Sequence, residues 1–195
     1  HGVDVFYAGH PMVDRPVPTP EQEAGFRRES GLAEGQPLLA LLPGSRGAEI
    51  RKLLPVMVQT ARLIRREKPE CAFVIPVAPG RDKKELASLC RGEGILLSDL
   101  PAREVVGYAR AALVCSGTAT LETAMAGTPM VVIYKGNPLS YLIGRAIIRG
   151  DKHMIALPNL VATDITDNRP QGEFVVPVLL QGQVEPQRLS KLMLE

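Results

Sequence analysis

Five short apolar runs are spaced along the chain: PLLALLPG (37–44), CAFVIPVA (71–78), GILLSD (94–99), AALVCSG (111–117) and PMVVIYK (129–135). They are near-continuous rather than alternating, the pattern of strands covered on both faces. Between the first two runs, Ile50, Leu53, Leu54, Met57, Val58, Ala61 and Ile64 recur at helical spacing. Arg51, Lys52, Arg62, Arg65 and Arg66 lie opposite them, so the pattern predicts a helix with one buried and one basic face, stopped by Pro69. Strand and helix in repeated alternation predict an α/β protein built on a doubly wound parallel sheet.

The ends are less regular. A short strand-like run, VDVFYA, leads through GHP into the Pro-rich DRPVPTPE (14–21), a linker composition. Residues 1–20 therefore read as the tail of a preceding unit plus a linker, and 21–195 as the main domain. Near the other end, the apolar HMIALPNL is expected to finish a strand at Asn159, where the side chain either makes a turn or orients a sugar hydroxyl. A polar loop, TDITDNRPQG (163–172), and a final helix in EPQRLSKLMLE (185–195) follow.

Composition narrows the function classes. With 45% hydrophobic and 23% charged residues, the chain can build a core and is not of the disordered kind. A formal charge of +2, four Phe, four Tyr and no Trp give neither the basic surface nor the stacking platform of a nucleic-acid binder. No run approaches the roughly 18 apolar residues of a membrane span, and the opening HGVDVFYAGHP lacks a secretory-signal pattern. The three cysteines, Cys71, Cys90 and Cys115, suit reduced thiols in a cytosolic protein. His10 and His153 stand alone, without metal-ligand spacing, so no metal is expected. Neither GxGxxG nor GxxxxGK[ST] is present.

Two strand exits remain as candidate chemistry, because ligands of open α/β sheets sit beyond the carboxyl ends of the strands. The first is LLPGSRGAE (41–49). Pro43 and Gly44 turn the chain sharply, Ser45 and Gly47 are small, and the helix start near Ala48 favours an anion, to which Arg46 adds a forked cationic donor suited to phosphate. The second is SGTATLE, with Ser116, Gly117 and Thr118 at another helix start. Glu122 is at the wrong offset to close a capping box on Ser116 or Thr118, but lies one turn from Thr118 on the same helix face. A carboxylate accepts two hydrogen bonds, as from a ribose diol, so phosphate seat plus Glu122 describes a nucleotide site. Leu121, Ala124 and Met125 are expected to face the sheet, with Gly127-Thr128-Pro129 ending the helix.

LLPGSRGAEI, SGTATLETAMAGTPMVV, Tyr134-Lys135 and LPNL, in this order, resemble the lipid-A-disaccharide synthase family, and GHPMVD resembles its interdomain segment. The S-G-x-x-x-x-E-x-x-x-x-G-x-P pattern alone is broader and is similar to other GT-B glycosyltransferases.

The resemblance implies a Rossmann-like domain of a GT-B fold and an inverting transferase without metal or cofactor. The donor would be UDP-2,3-diacylglucosamine and the acceptor 2,3-diacylglucosamine 1-phosphate, joined as the β-1,6 lipid A disaccharide with release of UDP. It matches the C-terminal, donor-binding half, cut short at its end. The catalytic base is then expected in the N-terminal half and has no residue here. Arg46 would contact phosphate and stabilise the leaving group. Ser116 and Thr118 would hold the diphosphate, Glu122 the ribose and Asn159 a sugar. Uracil would lie near Leu96–Pro101. Diacylated substrates imply a cytoplasmic protein peripheral to the inner face of the inner membrane, where the basic helix face could meet anionic lipid or simply be solvated. A homodimer is a further option.

The sequence departs from the family in its longer TDITDNRPQGE loop and in VPVLLQ (176–181), where Val178 stands at a position commonly Glu, so no donor contact is assigned there. Alternative readings are a UDP-N-acetylglucosamine 2-epimerase-type isomerase, another GT-B glycosyltransferase, or a nucleotide-binding module inactive alone.

Overall fold

The computed structural model describes residues 6, 9, 12–14, 16–90, 92–136, 156–162, 164–166, 169–171 and 174–195. Most of VDVFYA and GHP, His10 included, lies outside the described residues, as does His153 with the rest of HMI. All five apolar runs are strands: β1 Leu38–Leu42, β2 Ala72–Pro76, β3 Ile95–Ser98, β4 Ala111–Cys115 and β5 Met130–Tyr134. With β8 Val178–Leu180 they form one sheet in the order β3-β2-β1-β4-β5-β8, each pair parallel. This is the Rossmann-like doubly wound sheet, with its strand order reversing between β1 and β4.

The continuous apolar runs follow from a sheet covered on both sides. Leu39 and Leu41 of β1, Phe73 and Ile75 of β2, and Leu113 and Cys115 of β4 enter one core layer. Their neighbours Leu38, Ala40, Leu42, Ala72, Val74, Ala112 and Val114 enter the other. Successive strand residues point to opposite faces, so a strand with two buried faces has no polar positions to alternate.

Helix α2 (Gly47–Glu67) covers the first layer with Ile50, Leu53, Leu54, Met57, Val58, Ala61 and Ile64, the face expected from periodicity, and ends two residues before Pro69. Its basic face is partly engaged. Arg62 pairs with Glu93, whose carboxyl is held below its usual range chiefly by that hydrogen bond. Arg65 donates to the Glu93 carbonyl and stacks over Phe73, 5.0 Å from the ring centroid. The short helix α3 (Lys83–Leu89) adds Leu86 to this layer, and α7 (Pro186–Leu194) adds Leu189 and Met193.

The second layer is covered by α4 (Ala102–Gly107) through Val105 and Val106, and by α1 (Pro20–Glu29) through Phe26, which stacks on Tyr108 at 5.2 Å. A Thr19–Gln22 capping box starts α1 inside the Pro-rich stretch.

Three expectations are corrected, on LPNL, the polar loop 163–172 and the buried face of α5, and VPVLLQ gains an element. LPNL does not finish a strand: Leu157–Ala162 is a helix, α6, with Pro158 in its first turn, where a missing N–H does no harm. The polar loop 163–172 contains a short antiparallel pair, β6 Asp164–Thr166 and β7 Arg169–Gln171. VPVLLQ supplies the edge strand β8, and Val178 is buried in the second core layer. In α5 (Thr118–Met125) the buried residues are Thr120 and Thr123, while Ala124 is exposed and Leu121 and Met125 are half-buried. The threonines can be buried because their hydroxyls donate back to the Gly117 and Ala119 carbonyls at 2.7 Å each.

Candidate functional site

Because β1 pairs directly with β4 (Leu41 with Leu113, Leu42 with Val114), their exits lie side by side at the carboxyl end of the sheet. A cavity of about 630 Å³ opens there. The β1 exit contributes Gly44, Ser45 and Arg46, the β4 exit Ser116, Gly117 and Thr118, and α5 adds Glu122. Seven of the residues singled out from sequence thus line one cavity, at the strand-order reversal where doubly wound sheets take ligands.

The two helix starts differ. Helix α5 begins after Gly117, which offers no side-chain cap, and Thr118 and Ala119 of its first turn line the cavity. Thr118 and Glu122 both line the cavity, one turn apart. Glu122 is half-buried, and no described side chain pairs with its carboxylate. At the start of α2, by contrast, Glu49 Oε2 accepts from the Arg46 backbone N–H and Oε1 from Arg46 Nη1, both at 3.2 Å. The turn is built around this carboxylate: Gly44 has φ +99°, and a Cβ there would strike the Glu49 side chain. The Arg46 side chain is 83% exposed, so it stands at the cavity rim.

Two further cavity-lining positions carry no signal in the sequence. Glu49 lies three residues after Arg46, but arginine is not a residue from which a capping box is read. Arg103, on α4, is buried in the cavity wall and donates from Nη1 to the Met12 carbonyl at 3.0 Å, a long-range contact without local sequence signal. Leu100 and Pro101, part of the stretch expected near uracil, also line this wall.

Asn159 is not at this site. It is fully buried at the opposite end of the sheet, where its amide donates to the Val176 carbonyl at 3.0 Å and accepts from the Val176 N–H at 2.9 Å, just ahead of β8. A larger cavity, about 940 Å³, opens at that amino end between residues such as Cys71, Pro129 and Val175, where strands enter the sheet rather than leave it.

Cys115 also borders the candidate site, but burial, reinforced by the Glu49 charge and opposed by Arg46, pushes its thiol up to about 12. It stays a protonated core group at neutral pH. Among the described residues no His, Cys, Asp and Glu group could hold a metal ion, and no helix is long and apolar enough to cross a membrane.

Fold and site together define a doubly wound α/β domain whose switch point carries a cavity lined by two helix starts, Arg46 and Glu122. The chain belongs to the lipid-A-disaccharide synthetase family, whose model matches residues 1–194. It is 41% identical over 192 residues to the lipid-A-disaccharide synthase of Myxococcus xanthus, covering 97% of this chain and 47% of that protein. The synthase of Syntrophus aciditrophicus is likewise 41% identical, and that of Chromobacterium violaceum 37%. The chain therefore spans about half the length of the curated relatives it matches. The fold is also that of the E. coli ADP-heptose lps heptosyltransferase II structure, at TM-score 0.58 and 13% identity, covering 89% of this chain and 50% of that one.

Proposed function

We propose that this chain is the UDP-sugar-binding half of a lipid-A-disaccharide synthase. The observation that carries this reading is the pairing of β1 with β4, which sets two helix starts side by side around one cavity. The start of α5, with Ser116 and Thr118, suits a diphosphate, and Arg46 at the rim supplies an exposed cation. Glu122, one turn further, accepts the two ribose hydroxyls. The wall at Leu100 and Pro101 is left for uracil.

In the reaction, the 6-hydroxyl of the diacylglucosamine 1-phosphate acceptor attacks the anomeric carbon of UDP-diacylglucosamine. The bond from that carbon to the diphosphate breaks, and the hydroxyl proton passes to a base in the other half of the enzyme. Charge accumulates on departing UDP, where fixed N–H dipoles and Arg46 stabilise it most. Residues 1–20 serve as tail and linker to that other half, and 21–195 as the donor domain.

The acylated substrates place the enzyme on the inner face of the inner membrane as a peripheral protein. Of the basic face of α2, Arg51, Lys52 and Arg66 are the exposed cations not held by Glu93, and they form the contact to anionic lipid. Self-association as a homodimer is compatible with this arrangement.

Titration calorimetry tests the site. Glu122→Ala is expected to weaken UDP about 10-fold or more while leaving pyrophosphate nearly unchanged, because only the diol contact is lost. Arg46→Ala is expected to weaken UDP and pyrophosphate alike and to spare uridine. Equal losses of UDP and pyrophosphate in Glu122→Ala would refute the ribose role.

A further inference from the structure

Glu49 is the unexpected group at the site: a carboxylate placed where an anionic ligand is to bind. It reaches back over the β1–α2 turn, accepts from the backbone N–H and the guanidinium of Arg46, and fills the space over Gly44. With 23% of its side chain exposed it is largely inside the cavity wall, and its field reaches Cys115 at the β4 exit. We propose that Glu49 is a resident anion that competes with the phosphates of a nucleoside diphosphate for the donors of this turn and returns to Arg46 as the product leaves. It is thus a positioning residue that governs product release. This rests on the reading of the β1 and β4 exits as the diphosphate seat.

The choice between helping and opposing the ligand is decided by the geometry. Were Glu49 there only to aim Arg46, its hold would be weak: one contact at 3.2 Å to a guanidinium whose side chain is 83% exposed. Its effect on an incoming diphosphate is stronger, since two like charges compete within the same turn and for the same donors. Arg46 therefore exchanges one anion for another, and the turn stays ordered in both states. A nucleoside diphosphate product needs such a device. The donors that stabilise the leaving group most strongly also hold it after the reaction, and release then limits turnover.

The test uses this chain with inorganic pyrophosphate, UDP and uridine, by calorimetry and stopped-flow dissociation. Glu49→Gln keeps an acceptor oxygen for the Arg46 N–H and removes only the charge. It is expected to tighten pyrophosphate and UDP about fivefold to tenfold, chiefly through slower dissociation. Uridine affinity and the unfolding temperature should not change, and the gain should shrink at high salt. A role confined to helix capping would move the unfolding temperature and not the phosphate dissociation rate. If Glu49→Gln unsettles the turn, Glu49→Ala read as the ratio of pyrophosphate to uridine affinity asks the same question. Unchanged or weaker pyrophosphate binding in Glu49→Gln, with Arg46→Ala still weakening it, overturns the proposal and leaves the seat intact. Pyrophosphate binding to neither wild type nor variant removes the seat itself, and the proposal with it.

Discussion

The carboxylates of Glu49 and Glu122 face one cavity from two helix starts, and they are engaged differently. Glu49 is tied into the turn it caps, whereas Glu122 lines the cavity with no described side chain paired to its carboxylate. Asn159, which the LPNL resemblance would put on a sugar, spends its amide on both backbone groups of Val176. Asn159→Ala should therefore destabilise the fold by about 2–4 kcal/mol, because two buried backbone groups lose their partner at once. Its UDP affinity should match wild type once folded. Urea unfolding and UDP titration of the same variant check both halves, and a lost UDP affinity with unchanged stability would return Asn159 to the site. Gly44, Ser116 and Thr118 could be picked out from residue type, since small residues at a strand exit suit either a helix cap or a phosphate. Glu49 could not, because its importance depends on the φ of a glycine five positions earlier.

At the scale of elements, the five long strands and α2 were legible because burial on both faces, or on one helical stripe, leaves a continuous or periodic apolar signal. The elements that were misread or left unassigned lack that signal. β8 has three residues, too few to show a pattern, and α6 begins with an apolar run that also suits a strand end. In α5 the buried positions are threonines whose hydroxyls are satisfied by the preceding turn, so a hydrophobicity pattern selects the wrong face. The strand β4 links core and site: Leu113 is fully buried in the first layer, two residues before the cavity-lining Cys115. Leu113→Ala is expected to cost about 2–5 kcal/mol in urea unfolding with an unchanged m-value. A loss below about 1 kcal/mol would contradict a tightly packed layer there.

For the whole molecule, function follows from topology more than from any one residue. Strand order β3-β2-β1-β4-β5-β8 opens a crevice only where the order reverses, and residues 44–46 and 116–122, far apart in sequence, meet at that point. Sequence motifs could name both segments but could not show that they share a cavity. The opposite end of the sheet carries a larger cavity without such convergence. The structure of this chain soaked with UDP discriminates between the two ends most directly. The diphosphate is expected within hydrogen-bond distance of the N–H groups at the start of α5, with the ribose hydroxyls on Glu122 and the Glu49 carboxylate turned away from Arg46. UDP seated at the amino end of the sheet, or at the carboxyl end with its ribose away from Glu122, would contradict the assignment of this site.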